Sequence, residues 1–205
     1  MDKGFIGGIS LSECSASTIR RAAAVAKIEF VEVDLSLYSL DILDNGVATA
    51  CTELGIPIAA YSPLGKGLLT GQIKNPDDLE EGDLRKHSPR FQLGQFEKNL
   101  DLVHKFEELA KKRKCTPGLV GLVWVKAQSE KGENSVIFPI PGASTPEQVK
   151  ENSTEVELSE MDLKEIENTL AGSEIAGDRY ERPLATLYIG DSKDLEEWKA
   201  ENKSK

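Results

Sequence analysis

Apolar and polar positions along the chain alternate between two periods. Phe5 to Leu11 is apolar and rich in β-formers. Ser15 or Ser17 is placed to cap a helix that carries Ile19, Ala22, Ala23 and Ala26. From Glu29 to Leu37 the period is two. Phe30, Glu32, Asp34 and Ser36 fall on one face, and Val31, Val33, Leu35 and Leu37 on the other, which predicts a strand. Asn45 to Leu54 predicts a short helix stopped by Gly55, a residue that tolerates a left-handed backbone. Ile56 to Tyr61 predicts a third strand. Phe96 to Lys112 has the helical stripe Phe96, Leu100, Val103, Phe106 and Leu109 or Ala110. Thr116-Pro117 starts a further helix, with Thr as cap and Pro in the first turn. Ser135 to Pro139 predicts the fourth strand. Thr145-Pro146-Glu147-Gln148 is a capping box, and Ser159-Glu160-Met161-Asp162 opens the last clear helix in a similar way.

Strands that alternate with helices imply an α/β fold built on a parallel sheet. The segment from Ser62 to Gln95 is long, irregular and rich in Gly, Pro and charge, and such loops are uncommon unless functional. Nothing repeats and nothing marks an interdomain linker. The pattern alone is compatible with an open doubly wound sheet or with part of a barrel. Residues 1–190 read as one unit and 191–205 as a polar tail.

Composition narrows the function classes. The 205 residues carry a formal net charge of −10, which argues against broad contact with nucleic acid or an anionic membrane. A small anionic ligand depends only on local charge. Cys14, Cys51 and Cys115 are far apart and odd in number, and with His87 and His104 they form no metal-binding spacing. They read as reduced cytosolic thiols. No signal peptide or membrane-spanning run is evident, so a cytoplasmic protein is expected.

Two stretches carry candidate chemistry. Tyr61-Ser62-Pro63-Leu64-Gly65-Lys66-Gly67 follows one strand, and Pro141-Gly142-Ala143-Ser144-Thr145-Pro146-Glu147-Gln148 follows another and opens a helix. Backbone N–H groups at a helix start favour anions, and glycine lets the backbone approach a phosphate. Two such turns on neighbouring strands are suited to the two ends of one dinucleotide.

These stretches resemble the aldo-keto reductase family, over about Gly4 to Tyr180. Gly8 to Glu13 is similar to that family's fifth barrel strand, Glu32 to Leu37 to the sixth, and the two stretches above to the seventh and eighth. The Ser12-Glu13 pair, Glu32 and Gly177-Asp178-Arg179-Tyr180 resemble the pyridoxal reductase branch most. The resemblance implies a partial (β/α)₈ barrel, its C-terminal half with about four parallel strands, read from an internal Met1. It implies NADP as cofactor. Tyr61 would stack on the nicotinamide, with Ser12, Glu13 and Glu32 near its carboxamide. Ser62, Leu64, Gly65 and Gly67 would line the pyrophosphate. Gly142, Ser144, Thr145, Gln148 and Asn152 would hold the adenosine end, and Arg90 would meet the 2′-phosphate, with Lys66, Lys74, Arg85 and Lys86 as further cations in the same loop.

The family's catalytic Asp, Tyr, Lys and His belong to the first half of its barrel. Tyr38, Tyr180 and Tyr188 stand in different contexts, so no catalytic residue is assigned. The expected function is NADP-dependent reduction of a small aldehyde such as pyridoxal. The alternatives are a non-catalytic NADP(H)-binding module and an interaction module that completes a barrel, through self-association or by joining a missing N-terminal half.

Overall fold

The computed structural model describes residues 3–131, 135–181 and 190–202, with the side chain of Glu130 left aside. Tyr188 and residues 203–205 lie outside the described residues.

Among the described residues, four parallel strands form one sheet in the order β1 (Ile9–Ser12), β2 (Ile28–Asp34), β3 (Ile58–Tyr61) and β4 (Ile137–Pro139). The helices are α1 (Ala16–Ala23), α2 (Asp41–Asp44), α3 (Val47–Leu54), α4 (Gln95–Arg113), α5 (Pro117–Ala127), α6 (Pro146–Asn152), α7 (Glu160–Ala171) and α8 (Leu195–Asn202). The fold is α/β, and its sheet supplies half of the eight strands of a full barrel.

The capping residues fix the helix starts as their sequences predict. Ser15, Thr116, Thr145 and Ser159 each accept a hydrogen bond from a backbone N–H in the first turn of α1, α5, α6 and α7. Gly55 ends α3 with φ 63°, the left-handed conformation expected of it. The stripe on α4 buries Phe96, Val103, Phe106, Leu109 and Ala110, and adds Leu102. Strand boundaries are narrower than their sequence patterns. Gly7 and Gly8 precede β1, and Phe5 and Ile6 before them are exposed. After Asp34 the chain leaves the sheet, because Ser36 and Ser39 exchange backbone hydrogen bonds in a tight turn.

Residues in register share a face. Leu11, Val31, Ile58 and Ile137 lie side by side on the face covered by the helices, where the last three are buried. Ser12, Glu32, Ala59 and Phe138 form a row across the other face, and Phe30 meets Phe138 edge to face on that side. Val136 and Ile140 make their backbone hydrogen bonds to β3, so Ile137 and Pro139 point to the outer edge of β4. There the Ser129 hydroxyl accepts from Ile137 N–H and donates to Ile137 C=O.

The long segment after β3 is irregular but packed. It runs through short 3₁₀ turns at Gly65–Thr70, Pro76–Asp78, Leu84–His87 and Pro89–Phe91, and buries Leu68, Leu69, Ile73, Leu79 and Phe91. Asn99 of α4 is fully buried within the apolar stripe. Its amide donates to the carbonyls of Ala176 and Arg90, and its oxygen accepts from Ala176 N–H. One side chain thus ties the C-terminal segment to the body. Asn99→Ala would leave both backbone groups of Ala176 without partners in a buried place. The expected loss is about 2–4 kcal/mol of stability, read as a lower urea midpoint with an unchanged slope. Early proteolytic cleavage after Ala171 is expected to accompany it.

Candidate functional site

Parallel strands bring their C-terminal ends to one edge of the sheet, and the turns that leave β3 and β4 there lie beside each other. Together they line a cavity of about 710 Å³. Ser62, Leu64 and Gly67 border it from the first turn, and Gly142, Ser144 and Gln148 from the second. Its volume falls within the range of sites that enclose small molecules and cofactors. A smaller adjoining cavity is bordered by Leu64, Gly142, Gln148 and Asn152. The turns after the neighbouring strands β3 and β4 thus border one cavity.

The cation at the cavity is Arg85, together with Lys66. Arg85 is held by Asp83, which accepts three hydrogen bonds from its guanidinium, and it also donates to Lys66 C=O at 3.0 Å. These bonds hold the Asp83 carboxyl down at about 2. Arg90, which the sequence singles out, does not border the cavity. It is half-buried and donates to Ser39 Oγ at 3.0 Å and to Gly177 C=O at 3.3 Å. Its neighbourhood includes Asp34 and Asp41, so its charge is balanced from within the chain.

The two glycines of the first turn have different reasons to be glycine. Gly65 is buried at φ 60°, and a Cβ there would lie 2.7 Å from Cδ2 of the fully buried Tyr38. Tyr38 cannot yield, because its hydroxyl donates to Asn99 C=O at 2.7 Å. Gly67 has φ 98° and faces the tip of Arg85. Gly65 thus serves packing, and Gly67 serves the cavity wall.

In the second turn the capping box is complete. Gln148 Oε1 accepts from the N–H groups of Ser144 and Thr145, and Thr145 Oγ1 accepts from Gln148 N–H. Asn152 donates to Gly142 C=O at 3.3 Å. In this state the side-chain oxygen of Gln148 serves its own helix, while Gly142, Ser144 and Thr145 are exposed.

At the ends of β1 and β2 the structure gathers a charged cluster. Glu13 is buried with φ 44°, and its Oε1 accepts from Asp34 N–H at 2.8 Å. The Arg179 guanidinium spans both Glu13 oxygens at 3.4 Å and lies 3.6 Å from Asp34. Glu13 is therefore engaged with protein groups, whereas Ser12 is exposed and Glu32 half-exposed on the open face. Asp34 is 2% exposed, and among the described residues neither of its oxygens has a hydrogen-bond donor of normal geometry. Burial raises its pKa, and the charges of Arg179 and Lys66 and the nearby Ser39 temper the rise. Burial lowers the pKa of Lys66. Tyr61, at the end of β3, places its hydroxyl 3.2 Å from that of Tyr180, and burial pushes its pKa up strongly. Asn99 was assigned no role from sequence, because its partner Ala176 is distant along the chain. Arg179 entered only within the stretch Gly177 to Tyr180, and its partner Glu13 is equally distant. Arg85 entered as one of the loop's cations, and its partner Asp83 lies two residues away.

Among the described residues no group of three or more His, Cys, Asp or Glu side chains is placed to hold a metal ion, and no helix is long and apolar enough to cross a membrane.

A parallel α/β half-sheet with a cleft at its strand ends defines a class, and comparison with known proteins identifies it. The Aldo/keto reductase family model matches residues 1–171, and the chain belongs to that family. It is 45% identical over 184 residues to the "Aldo-keto reductase yakc [NADP(+)]" of Schizosaccharomyces pombe, covering 88% of this chain and 53% of the relative. It is 43% identical over 195 residues to a Saccharomyces cerevisiae protein named "Putative pyridoxal reductase", covering 88% of this chain and 56% of that protein. Among solved structures, the glycerol dehydrogenase of Gluconobacter oxydans superposes with a TM-score of 0.73 at 26% identity, over 86% of this chain and 53% of that one. The chain spans about half the length of the curated relatives it matches.

The two glycines give a test of this site. Gly65→Ala combines left-handed strain with a clash against Tyr38, and is expected to cost about 2–4 kcal/mol of stability. Gly67→Ala meets the ends of two side chains, Arg85 Nη1 at 2.9 Å and Ile73 Cδ1 at 3.2 Å, and is expected to cost less, about 1–2 kcal/mol, mostly backbone strain. Thermal unfolding of the two variants side by side checks the order.

Proposed function

We propose that this chain forms the NADP(H)-binding part of a reductase for small aldehydes, pyridoxal being the substrate its resemblances favour. The observation that carries this reading is the cavity shared by the turns after β3 and β4. In it the pyrophosphate lies along Ser62 and Gly67, and the adenosine end along Gly142, Ser144 and Gln148. Thr145 and Asn152 flank that end. The nicotinamide reaches back over Tyr61, whose flat ring suits another flat ring. The NADP(+) in the name of the fission-yeast relative supports the phosphorylated cofactor.

The chemistry of such a cofactor is hydride transfer to a carbonyl carbon. The oxygen that gains charge then needs a proton donor. In this reading the donor and its Lys, Asp and His companions come from the other half of a barrel, and this chain holds and orients the cofactor. General acid catalysis is worth roughly 10²–10⁴-fold, so the chain alone is expected to show no aldehyde-dependent loss of NADPH absorbance above background. Adding the N-terminal half of a family member, in cis or as a separate chain, is expected to restore turnover. Turnover by the 205-residue chain alone would overturn this division of labour.

Cofactor choice follows from the cation at the cavity. A charge-assisted contact to a 2′-phosphate is worth roughly 1.5–3 kcal/mol, about tenfold or more in affinity. Arg85→Ala is expected to weaken NADPH binding by that factor and leave NADH nearly unchanged, as read by titration of cofactor fluorescence. Arg90→Ala is expected instead to lower the unfolding temperature, because Arg90 ties Ser39 to Gly177. Equal losses of NADPH and NADH on Arg85→Ala would sink the assignment.

A further inference from the structure

The segment after α7 turns back over the C-terminal ends of three strands. Ala176 is held by Asn99, and the Gly177 carbonyl accepts from Arg90. Arg179 then reaches Glu13 at the end of β1 and Asp34 at the end of β2, and its Nε lies 3.5 Å from Asp41 of α2. Both side chains of the Arg179–Glu13 pair are below 10% exposed. A buried arginine that spans two carboxylate oxygens fixes direction as well as distance.

The next residue is placed by this lock. The Tyr180 hydroxyl stands 3.2 Å from the Tyr61 hydroxyl. The Lys66 ammonium lies 3.8 Å from the centroid of the Tyr180 ring and donates to Arg179 C=O at 3.1 Å. Tyr180 therefore touches both the aromatic platform and the first turn of the cavity. Its backbone follows directly from Arg179, and its ring lies beneath the Lys66 ammonium.

We infer that Arg179 is a positioning residue for the nicotinamide end of the clamp: locked onto Glu13, it holds Tyr180 against Tyr61 and so fixes the ring on which the nicotinamide stacks. The inference rests on the NADP(H) reading above. The adenosine end draws on α6 and the turn after β4, and Arg179 touches neither. Asn99 and Arg90 keep the segment attached when Arg179 is removed, so its loss acts on the orientation of Tyr61.

Titrations of the 205-residue chain with NADPH and with adenosine 2′,5′-bisphosphate separate the two ends of the site. Arg179→Ala is expected to weaken NADPH about tenfold or more while leaving the bisphosphate within about twofold. Glu13→Gln is expected to reproduce that split, and the double variant to be no worse than the weaker single one, because the two residues act as a pair. Arg179→Lys keeps the charge without the fork and is expected to fall between. Equal weakening of both ligands would show that Arg179 serves only the general fold and would overturn the inference. Unchanged NADPH affinity would overturn it as well. If the unsubstituted chain binds neither ligand, the NADP(H) reading itself fails and this inference falls with it.

Discussion

Parallel pairing is the constraint on which everything else in this chain depends. Two parallel neighbours can be joined only by a crossover that returns to the same starting edge. Each such return carries a helix across one face of the sheet and leaves every strand pointing the same way. All the turns that follow strands then gather on one side, whatever their sequences. The clustering of Glu13, Asp34, Tyr61, Ser62 and Gly142 is a product of connectivity before it is a product of chemistry. Chemistry enters afterwards, through which side chains stand at those ends.

Those side chains divide into two regions with different physics. Around the turns after β3 and β4 the walls are open, the backbone is glycine-containing, and the cation Arg85 is already satisfied by Asp83. Around the ends of β1 and β2 the groups are buried and paired, with Arg179 drawing Glu13 and Asp34 together. The first region is open, and its polar groups are held by partners within their own turns. The second is rigid and costly to disturb, since an uncompensated buried carboxylate is worth several kcal/mol. Asp34 shows the tension within it. Among the described residues no donor of normal geometry meets its carboxylate, and the charges of Arg179 and Lys66 with the nearby Ser39 offset part of its burial.

Much of the fold was legible from local sequence, because its signals act over one or two turns of chain. Thr116, Thr145 and Ser159 each announce a helix start through a hydroxyl only three residues from its target. Gly55 announces an end through its own backbone. The pair of turns that forms the cavity was legible for the same reason. What stayed hidden depends on partners far away in sequence. Asn99 looks like an interruption in a helix stripe until Ala176 is seen beside it. Arg90 and Arg85 carry the same charge in the same loop, and only the positions of Ser39 and Gly177 send the first inward. Gly65 reads as room for a ligand, yet the ring of Tyr38 already fills that room.

The outer edge of β4 has a consequence for how this sheet can grow. Pro139 has no N–H to offer there, and Ser129 already occupies both backbone groups of Ile137. A strand that arrives on this side finds no free donor within β4 and must first dislodge a hydroxyl. The sheet is thus polarised as a building block, with one edge shuttered by its own chain. Extension at β4 is thus an exchange of one partner for another rather than a simple addition.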